Sequence, residues 1–273
     1  MVLMLGLTGL SAIALTLYLA AEAFSLAHLR RDRQSYATAT TVLLLLGFLV
    51  HFAALEIGGR AVHSVPYRDL PSSMSLFAWM IAASYGILLI RHREGSTGPF
   101  LIPLSIFFLL ISLVTHPGAA VISDPRRSGS LFALHVTLAI FGYAALTLAF
   151  VLAQLYLIQN QQLRRRKLGL LFSKLPALDV LSQLQRTSVI TGVSALTVAT
   201  VLGLIWAKQH WGTYWDPKVL FTFLIIGLYL FTLFPGRAGG GKKNAVLSIA
   251  GFILLLFSYS IVNLFISQEH TFQ

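Results

Sequence analysis

Apolar residues in this chain do not alternate with polar ones. They form continuous runs, roughly 2–24, 38–58, 72–90, 99–115, 131–158, 187–207, 218–234 and 245–266, separated by polar connections. A helix needs about 17–25 apolar residues to cross a hydrocarbon core. The fourth run is short and contains Pro103, and the fifth is long enough to protrude. Inside a bilayer every backbone N–H and C=O must be paired within the protein, and a helix does this alone. Unbroken runs also argue against a membrane β-barrel, whose strands alternate. The pattern predicts an all-α, polytopic membrane protein with about eight transmembrane helices. These fill most of the chain, so a single membrane domain over 1–273 is expected, with four helices in 1–115 and four in 131–273.

Composition agrees: 56% of the 273 residues are hydrophobic and 11% are charged, against about 25% charged in a soluble domain. The first run is followed, not preceded, by its positive charge, "HLRRDRQ". A cleavable secretory signal has the opposite order, so an uncleaved helix with an outside N-terminus is expected. Lys and Arg then set the orientation. Fourteen of the 20 fall in connections that this topology puts inside, including Arg30, Arg31, Arg33, Arg91, Arg93 and the run Arg164–Lys167. Both termini are therefore expected outside. The net charge of +11 follows from topology and calls for no nucleic-acid partner. A basic inner face also favours anionic membrane lipid.

Six of the eight histidines, His51, His63, His116, His135, His210 and His270, fall on the outer side of this topology; His28 and His92 fall at the inner face. Histidine is a common metal and haem-iron ligand, and an ionisable residue near the membrane is a functional candidate. No cysteine occurs, which excludes disulfides, thiolate zinc sites and a C-x-x-C-H haem attachment. Phosphate-loop, H-E-x-x-H and G-x-S-x-G patterns are absent too.

One connection stands apart: "AKQHWGTYWDPKVLF", residues 207–221. Asp216-Pro217 before an apolar run is a helix-start signal, and Trp and Tyr favour membrane interfaces. Yet Trp206, Trp211 and Trp215 are three of the four tryptophans; the fourth, Trp79, lies in the third run and reads as a packing residue. An aromatic shelf beside outer histidines suits a flat, apolar, anionic ligand whose metal takes imidazole. Haem has those properties, and Lys208, Lys218, Arg126 and Arg127 are candidate partners for its propionates.

The segment "WGTYWDPK" resembles the tryptophan-rich signature of the cytochrome c assembly and haem-handling membrane proteins, the CcsA, CcmC and HemX group. Residues 175–207 and 135–150, and the end "GFILLLFSYSIVNLFISQEHTF", are similar to the family's flanking helices. The resemblance covers the C-terminal half. It implies that Trp206, Trp211, Tyr214, Trp215 and Asp216, with Lys208 and Lys218, contact haem b outside the membrane. It also implies that His135 and His270 are the axial iron ligands. His51 and His116 form a second candidate pair, for another haem or a quinone, with Glu56 nearby. The motif is two residues shorter than the family's, Val219 stands at a glutamate position, and Phe231 stands where synthases carry a further histidine. These departures favour haem holding or delivery over a complete synthase. They also keep open a HemX-like regulator or accessory subunit that binds another protein. A small-molecule transporter without haem is the third reading. Expected partners are lipid, haem and other maturation or haem-pathway proteins, in a bacterial-type inner or plasma membrane.

Overall fold

The computed structural model describes residues 2–61, 69–115, 129–166, 174–211, 217–234 and 241–258, with side chains except at 2–7, 61, 211, 217 and 218. Among the described residues are eight helices and no strand: α1 Val2–Arg31, α2 Gln34–Ala61, α3 Leu70–His92, α4 Gly98–Val114, α5 Ser130–Arg164, α6 Leu178–Trp211, α7 Pro217–Leu233 and α8 Gly241–Phe257. Each predicted run corresponds to one helix. Five helices are long and apolar enough to span a bilayer, and α4 and α7 are shorter apolar helices. The protein is an all-helical, polytopic membrane protein. Large apolar side chains that point outward, such as Ile90, Val114, Leu220 and Leu49, are more than half exposed. That is unfavourable in water and normal against lipid.

Local chemistry sets the helix ends. Asp69 caps α3 by accepting a 2.8 Å hydrogen bond from the Ser72 amide, and Pro71 occupies the first turn, where its missing N–H costs nothing. At the other end Arg93 takes the left-handed conformation (φ 54°), and its N–H closes the last turn onto the Leu89 carbonyl. Pro217 is the first residue of α7, as the Asp-Pro signal predicts. Helix α6 begins nine residues before its apolar run, because "LDVLSQLQR" buries only one face: Leu181, Leu184 and Gln185 are buried, while Gln183 bonds to Asp179.

The chain divides into two compact units, residues 1–123 with 173–176, and residues 124–172 with 177–273. In the first, α1 packs on α2 and α4, and α3 joins α4 to α2. In the second, α5 packs along α6 and on α8, and α7 closes against α6 and α8. The second unit has a core of Leu146, Val189, Val193, Leu196, Ile225, Tyr229 and Leu255. Two polar contacts cross between helices there: Gln185 donates to Ser248 Oγ at 2.8 Å, and the Tyr229 hydroxyl donates to the Ser248 carbonyl at 3.1 Å.

Candidate functional site

Helix α5 carries His135 in its second turn, and α6 faces it. The His135 Nδ1 lies 2.6 Å from the Ala199 carbonyl oxygen. A carbonyl can only accept, so Nδ1 is the donor in this contact. This is how iron- and zinc-binding histidines are commonly oriented: a backbone carbonyl fixes the tautomer and aims the other nitrogen. The ring fits because residue 203 is glycine. A Cβ on Gly203 would lie 2.5 Å from His135 Cε1 and 2.7 Å from Nδ1.

Aromatic rings extend the site along α6. Phe132, one turn before His135, lies 6.2 Å from it between centroids and 4.7 Å from Trp206. Trp206 is 4% exposed, so it forms the floor of the cluster. His210 stacks on Trp206 at 4.8 Å and 20°, and its Nδ1 bonds to the Trp206 carbonyl at 3.0 Å. Lys208 is exposed two residues beyond Trp206, on the opposite face of the same helix. Thus His135, Trp206 and Lys208 of the predicted set sit at one end of the α5–α6 pair. Trp211 is the last residue of α6; its side chain, that of Lys218, and all of Tyr214, Trp215, Asp216 and His270 lie outside the described residues. So do His116, Arg126 and Arg127.

Sequence reading missed three contributors. Gly203 and Phe132 depend on the α5–α6 contact, which no local pattern announces. His210 was recognisable, since residues four apart on a helix are neighbours. Among the described residues no group of three or more His, Cys, Asp or Glu could hold a bare metal ion. Imidazoles brought from separate elements to a haem would leave no such group.

His51 has a different environment. It is fully buried, its Nε2 lies 2.9 Å from Ser75 Oγ and its Nδ1 3.4 Å from the Tyr18 hydroxyl. Both nitrogens are engaged, tying α1, α2 and α3 together, and a ligand role would require breaking one bond. Glu56 pairs instead with Arg60 on the surface at 2.7 Å. Trp79 donates to the Phe48 carbonyl at 3.0 Å and stacks on Phe48, a packing role. Glu22 has its Oε2 enclosed and without a hydrogen bond among the described residues. His51→Ala is expected to destabilise by about 2–3 kcal/mol, from two interhelical hydrogen bonds of roughly 0.6–1.7 kcal/mol each and the cavity left behind. Denaturant titration in detergent measures this, and an unchanged midpoint would contradict the tie.

An all-helical membrane protein with an oriented imidazole among aromatic rings is the class that these features define. The Cytochrome C assembly protein family profile matches residues 67–270, and the chain belongs to that family. It is 28% identical to the cytochrome c biogenesis protein CcsA of Chlamydomonas reinhardtii over 218 residues, covering 76% of this chain and 60% of that one. It is 26% identical to CcsA of Guillardia theta over 242 residues, covering 79% and 80%. Protein HemX of Bacillus subtilis is 33% identical over 146 residues, 52% of each chain. Among solved structures, the cytochrome c haem lyase CcmF shares the fold at a TM-score of 0.64 and 18% identity, over 94% of this chain and 46% of that one.

Proposed function

We propose that this protein holds haem b at the outer membrane face, for cytochrome c assembly or haem delivery. His135 and His270 would hold its iron, and the Trp211–Trp215 segment would contact it. The observation that carries this reading is the His135 tautomer. With Nδ1 donating to the Ala199 carbonyl, Nε2 would be the nitrogen turned to iron. The residues present fit the group. Gly203 leaves room for the ring, Phe132, Trp206 and His210 form an aromatic wall, and Lys208 would pair a propionate only by reaching round from the other side of α6. Haem bound by two imidazoles would be low-spin and have no open axial position. This chain's residues then bind, orient and shield it.

A second reading, a HemX-like accessory subunit, is favoured by the shortened motif and by the likeness to HemX over half of each chain. Haem content of the purified protein, by absorbance and extraction, distinguishes the two. About one haem per chain is expected. Trp211→Ala and Trp215→Ala should each lower it while the protein still inserts, and Trp79→Ala should not. A chain purified without haem from haem-replete cells, and unable to take it up, would sink the haem-holding reading.

A further inference from the structure

We propose that the inner end of the first unit carries a site for one anionic phospholipid, seated on the last turns of α1. A cavity of about 450 Å³ is lined there by Ala23, Leu26, Ala27, Arg30, Arg31 and Tyr36. Five of these six share one face of α1, at the i, i+3, i+4, i+7 and i+8 spacing. Apolar and cationic parts are in order along the axis. Ala23, Leu26 and Ala27 line the groove, which the small alanines leave shallow. Arg30 and Arg31 close it on the inner side. From Ala23 to Arg31 the helix rises about 12 Å, so an acyl chain in the groove places its phosphate at the guanidiniums.

Hydrogen bonds link the residues at the head-group end. Arg31 Nη1 donates to the Tyr36 hydroxyl at 3.4 Å. Asp32 turns the chain in the left-handed conformation (φ 48°), with its N–H on the His28 carbonyl at 2.8 Å. His28 Nδ1 binds the Arg33 carbonyl at 3.1 Å, and Lys174 donates to the Arg30 carbonyl at 3.3 Å. Arg30, Arg31, Arg33 and Lys174 gather at this end with the exposed Asp32, while Glu22 precedes the groove and Glu94 adjoins Gly95, which faces His28, so the basic groups outnumber the acidic ones. Local charge is therefore positive, and it faces an apolar groove. A zwitterionic lipid would use only the groove, and a soluble phosphate only the arginines. A phospholipid with net negative charge uses both, and basic pockets between transmembrane helices on the cytoplasmic side are known to take such head groups. The site stands whether or not the second unit binds haem.

Native mass spectrometry of the full chain, after exchange in micelles holding equal phosphatidylglycerol and phosphatidylcholine, tests this. The wild type should retain one phosphatidylglycerol in preference to phosphatidylcholine. Arg30→Gln with Arg31→Gln should weaken retention by about 30-fold, a factor of roughly five per charge. Arg164→Gln with Arg165→Gln removes equal charge at the inner end of α5 and should leave retention unchanged. Ala23→Leu with Ala27→Leu fills the groove with the charges intact and should also lower retention. Millimolar inorganic phosphate should not displace the lipid. The site is refuted if the Arg30/Arg31 variant keeps its lipid, if the Arg164/Arg165 variant loses as much, or if phosphate alone displaces it.

Discussion

Gly142→Val is expected to wedge α5 from α6 and strongly destabilise the second unit. A Cβ on Gly142 would lie 3.0 Å from the Gly192 carbonyl oxygen and 3.2 Å from the Leu196 amide nitrogen. Both are backbone atoms of a continuous helix, so no rotamer change relieves them. Gly192 meets the same contact from the other side: its Cβ would be 3.0 Å from the Gly142 carbonyl and 2.8 Å from Leu146. Membrane helices lack a hydrophobic drive between them, because lipid is as apolar as leucine; close approach through small residues supplies the packing instead. Overpacking usually costs about 1–3 kcal/mol, and at a backbone-to-backbone contact the upper end or more is expected. Size-exclusion profiles in mild detergent should show aggregated or proteolysed protein. Gly227→Val is the control, since a Cβ there meets nothing within 4 Å. Equal behaviour of the two variants would refute the close-packed seam.

Gly203→Leu should empty the proposed haem site while leaving its ligands in the sequence. A first side-chain carbon at residue 203 falls inside contact distance of the His135 ring. The ring must leave the Ala199 carbonyl, and its tautomer and direction are lost together. Losing a supporting contact at a metal site typically costs about 10–100-fold in affinity; loss of the ring's whole seat should meet or exceed that. Gly203→Ala should be the milder version. Helix propensity works the other way, since alanine and leucine both favour helix over glycine. Lower haem content in a variant with normal or improved thermal stability would therefore separate positioning from folding. Unchanged haem content in Gly203→Leu would mean that His135 is not held where the proposal needs it.

The fold was legible because lipid-facing helices are written as length and hydropathy. Even the short α4 and α7 were found as runs, and α6 extends beyond its predicted run at both ends, where polar residues continue the helix. The candidate site was legible in part. His135 and Trp206 were recognised from the resemblance, and the structure brings them to one end of the α5–α6 pair. Their support was not legible: Ala199 and Gly203 are more than sixty residues from His135, and nothing in either stretch signals the other. His51 shows the opposite limit. A buried histidine can be a ligand or a tie between helices. Only the positions of Tyr18, 33 residues away, and Ser75, 24 residues away, show that both its nitrogens are engaged.

The central claim is that His135 Nε2 binds haem iron, and the most direct measurement is the low-temperature electron paramagnetic resonance and absorbance of purified wild type and His135→Gly. The wild type should give a low-spin ferric signal, since both axial positions are filled by nitrogen. His135→Gly should turn high-spin or lose its haem, and added imidazole should restore the low-spin signal by occupying the vacated space. His28→Gly, at the opposite end of the charge-assigned topology, should match the wild type. A low-spin signal that persists unchanged in His135→Gly would contradict the account and place the iron on other ligands.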